Sequence, residues 1–107
     1  MNKIIIEVGS TCVKIDRYNG NNIERLDEIT IQFKKHYNEN NHLMEDDIKE
    51  LIKKINDSKC ISKDIYVCGT SIFRTLGDSE KEKFLERFKN ETGYDFNIIS
   101  LISGHFF

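Results

Sequence analysis

The chain has no long apolar run. Its most hydrophobic opening stretch is Ile4-Ile5-Ile6, too short for a signal peptide or for the ~20 residues of a membrane-spanning helix. A cytoplasmic protein with no membrane partner is the expectation. Cysteine is scarce: Cys12, Cys60 and Cys68 form no CxxC pair, and their odd number argues against a disulfide framework. They also lack metal-site spacing with His36, His42 and His105, so the histidines are expected on the surface or in loops. Charge of one sign is missing too. Lys and Arg number 16 and Asp and Glu 18, a net charge of −2, with no long run of either sign. Nucleic-acid affinity rests on clustered Lys and Arg, so nucleic acid is not expected as a partner. A local phosphate site is compatible with this balance. Proline is absent altogether, which by itself decides nothing about the fold.

What remains has the composition of a small folded domain. The 107 residues are 38% apolar and 32% charged, which suits a soluble globular chain better than a disordered one. This length fits one domain whose core is limited by its surface-to-volume ratio.

Residues 3–8 are apolar and β-branched, and predict a strand buried on both faces. Gly9-Ser10 breaks it. Val13, Ile15 and Arg17 alternate with Lys14 and Asp16, as in a half-buried strand. Asn19-Gly20-Asn21-Asn22 marks a hairpin turn, because Asn and Gly tolerate positive φ. Ile23, then Ile29, Ile31 and Phe33 at period two, predict a third antiparallel strand. Residues 34–41 read as a polar loop. Met44, Ile48, Leu51, Ile52 and Ile55 recur at helical spacing, predicting a helix over 44–57. Its acidic start (Glu45, Asp46, Asp47) and basic end (Lys53, Lys54) suit the helix dipole.

Residues 64–68 predict the next buried strand, in which Cys68, like Cys12 earlier, acts as a small buried hydrophobe. Ser71 to Leu76 reads as a short helical turn. Asp78 or Ser79 is expected to cap a helix over 79–92, with Ser79 and Glu82 in capping-box spacing. Phe84, Leu85 and Phe88 supply its apolar face, and Gly93 stands where a helix-ending glycine belongs. Residues 96–99 read as a last strand. The element order is β-β-β-α-β-α-β.

Two turns in this order carry groups suited to phosphate. A phosphate needs several directed donors and little steric bulk. Backbone N–H groups at a glycine turn, with Ser or Thr hydroxyls beside them, supply both. Gly9-Ser10-Thr11 offers this between two strands. Gly69-Thr70-Ser71 offers it between a strand and a helical turn, where a helix N-terminus also favours an anion. Arg74, about one turn later, is placed to direct a guanidinium at the same phosphate.

Taken together, residues 2–99 resemble the opening half of the exopolyphosphatase and guanosine pentaphosphate phosphohydrolase domain, within the actin-like ATPase, sugar kinase and Hsp70 superfamily. The family's first hairpin runs close to I-D-x-G-S-N-S; here it is Ile6-Glu7-Val8-Gly9-Ser10-Thr11-Cys12. Its later pattern is close to A-T-S-A-x-R-x-A-x-N; here it is Gly69-Thr70-Ser71-Ile72-Phe73-Arg74-Thr75-Leu76-Gly77-Asp78. Thr92-Gly93, leading to Ile98-Ile99-Ser100, looks like the family's approach to its catalytic segment. The resemblance implies an α/β, ribonuclease-H-like fold, with a mixed five-stranded sheet of order 3-2-1-4-5. Strands 1–3 would be antiparallel and strands 4 and 5 parallel to strand 1, in keeping with right-handed crossovers. It implies phosphate binding by Gly9, Ser10, Thr11, Gly69, Thr70, Ser71 and Arg74. Glu7 would act on a metal, Mg²⁺, or on water. Polyphosphate or a guanosine polyphosphate would be the ligand.

The chemistry departs from that pattern in three places. Glu7 stands for the family's Asp, and a displacement near ~1 Å can cost about a hundredfold in rate. Thr11 and Cys12 stand for Asn and Ser, and Cys12 is a poor donor. After Ile99-Ser100 the family has G-x-E-E-A with a glutamate as general base, whereas this chain reads Leu101-Ile102-Ser103-Gly104-His105. Such a base contributes about 10²- to 10⁴-fold. The family also closes its cleft with a second lobe. The expectation is therefore a single truncated N-terminal domain over 1–107, with 101–107 an atypical apolar tail, and no catalytic residue in place. Three readings stay open: a phosphohydrolase fragment without meaningful turnover; a non-catalytic module binding a phosphate ligand or a protein, with self-association through the half-domain edge or the apolar C-terminus; and an α/β domain whose turns hold no ligand.

Overall fold

A computed structural model of the chain describes residues 2–99. The tail 101–107, with His105, lies outside the described residues. Five strands form one sheet: β1 (Lys3–Val8), β2 (Cys12–Tyr18), β3 (Ile23–Thr30), β4 (Ile65–Gly69) and β5 (Phe96–Ile98). Their order is β3-β2-β1-β4-β5. The three-residue turn after β1 leaves only an antiparallel return, and β2 and β3 pair the same way. At the second turn Gly20 has φ +100°. The Asn19 side-chain oxygen there accepts from the amides of Asn21 and Asn22, at 3.1 and 2.9 Å. β4 and β5 arrive through helical crossovers and lie parallel to β1 and β4 respectively. The α/β fold and strand order implied by the resemblance are those observed.

The helices are α1 (Phe33–Asn40), α2 (Glu45–Ser58) and α3 (Asp78–Thr92), with a 3₁₀ turn over Ser71–Thr75. Three expectations change here. Residues 34–41 form α1 rather than a loop, and Phe33 opens that helix instead of ending β3. Asn41, at φ +63°, ends α1 in the left-handed conformation that Asn tolerates, and its amide returns to the Tyr37 carbonyl at 2.6 Å. The capping box at α3 is not formed: Gly77 precedes the helix, with no side-chain cap. Gly93 does end α3, at φ +84°.

The third change concerns β1. Ile4, Ile6 and Val8 are fully buried, but Ile5 is only half-buried and Glu7 is exposed. A strand buried on both faces needs helices on both. In the described residues the apolar sides of all three helices join a single core on the Ile4–Ile6–Val8 face. The other face carries Ile5, Glu7, Lys14, Asp16 and Tyr66, interleaved across paired strands.

The core has an aromatic centre. The Phe73 ring lies 5.2 Å from that of Phe33, 5.3 Å from Phe84 and 4.9 Å from Phe96. Phe96 in turn meets Phe84 at 4.8 Å and Phe88 at 5.2 Å, both edge-on, a favoured geometry for aromatic pairs. Gly69 is part of this packing. A Cβ at Gly69 would lie 2.3 Å from the Phe96 ring and 3.2 Å from Phe73. Ion pairs tie the helices together. Arg87 of α3 grips Glu45 of α2 through two bonds of 2.6 and 2.7 Å and also binds Glu91. That grip holds the Glu45 carboxyl below its usual range.

Cys68 is buried, but on the sheet face opposite the aromatic core. Burial, and then the Glu7 carboxylate beside it in register, push its thiol up to about 11 from about 9. The folded chain keeps that proton at a pH where the unfolded chain has released it. The stability it contributes is therefore complete below pH ~9 and is lost as pH rises through ~11.

Two outcomes are expected. Gly69→Ala will force the Phe96 ring out of a filled cluster and lower unfolding stability by about 1–3 kcal/mol, measured by urea titration; an unchanged midpoint would mean that the ring has room to move. The urea midpoint of the natural chain will fall more between pH 8.5 and 10.5 than that of Cys68→Ala. Parallel pH slopes for the two would show a thiol in contact with water.

Candidate functional site

The two turns singled out in the sequence meet at the same end of the sheet, because β1 and β4 are adjacent and parallel. The Gly9 amide donates to the Cys12 carbonyl at 2.9 Å and closes the first turn. The Thr70 amide donates to the Val8 carbonyl at 3.1 Å and extends the β1–β4 ladder by one residue. Both amides are thereby engaged within the protein. The Ser10 and Thr11 amides take no protein partner among the described residues.

Carbonyls of the first turn also receive the chain that follows β3. Ile31 N–H donates to Thr11 at 3.2 Å, and Lys34 N–H to Ser10 at 3.0 Å. The start of α1 is thus docked on the Ser10 turn. Further along α1, His36 Nδ1 lies 2.8 Å from Oδ2 of the buried Asp47 on α2. His36, expected on the surface or in a loop, is 38% exposed but stands in α1 and holds that helix against α2.

Between α1 and the 3₁₀ turn lies an open cavity of about 540 Å³. Ser10, Lys34, Tyr37, Asn38, Ser71, Ile72, Arg74 and Thr75 line it. Of the candidates from the sequence, Ser10, Ser71 and Arg74 come together here. Gly9, Thr11, Gly69 and Thr70 are not in the lining. Gly69 sits within β4, and its missing side chain is replaced by the Phe96 ring. Gly9 differs: a Cβ there would come no nearer than 3.4 Å to the Cys12 carbonyl oxygen, an ordinary contact. No packing reason calls for glycine at position 9. Glu7 points to the exposed side of β1 and does not line the cavity.

Arg74 is the distinctive group. Arg17 pairs with Glu24, Arg25 with Asp16 and Glu28, and Arg87 with Glu45 and Glu91. Among the described residues Arg74 alone of the four arginines has no carboxylate partner, and its buried Nε has no hydrogen-bond partner. A buried donor left unmade costs ~1–3 kcal/mol. Ser71, three residues earlier, has φ +50°, a region costly for any residue with a Cβ. The 3₁₀ turn has only five residues, too few for the helix-dipole contribution expected from the sequence; the anion-favouring charge comes from Arg74 and Lys34. No carboxylate or histidine lines the cavity among the described residues.

Lys34, Tyr37 and Asn38 were missed in the sequence because the helix carrying them was read as a loop. The available signal was the i, i+4 pair Phe33–Tyr37 followed by Asn41. Among the described residues no cluster of three or more His, Cys, Asp or Glu is arranged to hold a metal. No described helix is long and apolar enough to cross a membrane.

Solved structures of other proteins share this architecture. A Ppx/GppA family member from Aquifex aeolicus matches with a TM-score of 0.72 and 23% identity, over 92% of this chain and 35% of its own. An exopolyphosphatase from Cytophaga hutchinsonii matches with a TM-score of 0.73 and 14% identity, over 92% of this chain and 34% of its own. An exopolyphosphatase-like protein matches over 95% of this chain and 33% of its own, with a TM-score of 0.66 and 12% identity. No protein-family model and no curated protein sequence matches the chain. The chain therefore has the α/β fold found in the Ppx/GppA exopolyphosphatase structures, and it spans about a third of their length.

Proposed function

We propose that the chain binds the terminal phosphate of a condensed phosphate or nucleoside polyphosphate, without hydrolysing it as the isolated chain. The observation that carries this reading is the part-buried Arg74 guanidinium, whose Nε has no partner among the described residues, in a cavity shared with Ser10 and Ser71. Such a group is stabilised by an anionic ligand that accepts from it. The Ser10 amide, without a protein partner among the described residues, is a further donor on the same lining.

The likeness in fold to exopolyphosphatase structures favours phosphate over other anions. Turnover is not expected, because the sequence after Ile99-Ser100 offers Leu101-Ile102 where a glutamate base would stand. Glu7 is one carboxylate near the end of β1. Mg²⁺ is commonly held by one or two carboxylates with the remaining sites on phosphate and water. Glu7 lies outside the cavity lining, so it does not fit that role for an ion arriving with a phosphate there.

Tripolyphosphate is expected to raise the melting temperature of the natural chain. Arg74→Gln will weaken its binding by about tenfold to a hundredfold, measured by isothermal titration calorimetry. Gly9→Ala will leave the melting temperature of the free chain within a degree or two of the natural value, yet reduce the ligand-induced shift. An equal shift in Arg74→Gln would remove phosphate from this cavity. Release of phosphate from tripolyphosphate with Mg²⁺ at an enzyme-like rate would overturn the non-catalytic part.

A further inference from the structure

We infer that Lys34, on α1, is a specificity residue that contacts a second phosphoryl group, so that the cavity selects two linked phosphates over one. The inference rests on the phosphate reading of the same cavity and goes beyond it in naming what the α1 wall recognises.

Three observations point this way. The first is size. About 540 Å³ falls within the ~300–1,000 Å³ typical of small-molecule sites, well beyond what one phosphate fills. The second is charge. Lys34 and Arg74 are the charged residues of the lining, no carboxylate offsets them, and Lys34 has no ion-pair partner among the described residues. Two cations on opposite walls match a ligand whose charge is spread along its length. A lone phosphate drawn to Arg74 would leave Lys34 unanswered.

The third observation is placement. Lys34 is not on a free loop. Its amide is bonded to the Ser10 carbonyl, and Phe33 before it is buried against Phe73. The Cα of Lys34 is thereby fixed relative to both Ser10 and the turn carrying Arg74, while the long side chain stays exposed and free to reach a ligand. Tyr37 and Asn38, one turn further on, add a hydroxyl and an amide to the same wall.

The test is calorimetric titration of the natural chain, Lys34→Gln and Arg74→Gln with orthophosphate and with pyrophosphate, at constant ionic strength. Lys34→Gln keeps the backbone bond to Ser10 and removes only the charge; matched melting temperatures and circular dichroism establish that it folds. The natural chain is expected to bind pyrophosphate at least about tenfold more tightly than orthophosphate. In Lys34→Gln that preference falls toward unity, while orthophosphate affinity stays within about twofold. Arg74→Gln weakens both ligands. A preference retained in Lys34→Gln, or an equal loss for both ligands, overturns the role of Lys34 while leaving the phosphate reading intact. Indifference of both ligands to Arg74→Gln overturns the phosphate reading, and this inference with it.

Discussion

The contact on which the candidate site depends is the edge-on packing of Phe33 against Phe73. Phe73 lies in the 3₁₀ turn between Ser71 and Arg74, and Phe33 immediately precedes Lys34 on α1. One buried pair of rings thus sets the separation of the two walls of the cavity. Phe73 is anchored below by Phe84 and Phe96, and Phe96 is seated over Gly69. Aromatic pairs contribute about 0.5–1.5 kcal/mol beyond their buried area, and here they form one connected cluster. A change at Gly69 or Phe96 therefore reaches the cavity without touching it.

The sheet divides the labour. One face is dry and made of Ile, Val and Phe. The other mixes Glu7, Lys14, Asp16 and Arg25 with Ile5, Tyr66 and the buried Cys68. The strand ends, not the faces, carry the site. Both turns emerge from the carboxyl ends of β1 and β4, where parallel strands bring successive loops side by side. This is the usual location of ligand sites on open α/β sheets. It explains how Ser10 and Ser71, distant in sequence, line one cavity.

Much of this was legible in the sequence, for identifiable reasons. Period-two and period-3.6 apolar spacing marked β2, α2 and α3, and Gly20 and Gly93 marked a turn and a helix end because both adopt positive φ. Strand order was not in the periodicity and came from family resemblance. The misses have physical causes too. α1 buries only Phe33, with Tyr37 half-buried, so its apolar stripe is too thin to separate from a loop; tertiary docking through Ser10 and Asp47 holds it in place. β1 was read as buried on both faces because a run of isoleucines does not say which side helices will cover. Gly69 was assigned to phosphate when its smallness serves Phe96, and no local pattern distinguishes those two uses of glycine.

The separation of Gly9 from Gly69 bears on what this chain does. An added methyl separates the two glycines. It clashes at Gly69 alone. Near Gly9, among the described residues, are two amides lacking protein partners, Ser71 in a strained conformation, and the one arginine without a carboxylate partner. Two of these features cost stability in the free chain, the buried Arg74 Nε and the Ser71 backbone. Among the described residues none of them supplies a carboxylate or imidazole as a base to activate water. A cavity lined by donors, with no carboxylate or imidazole among the described residues, suits the proposed binding of an anion.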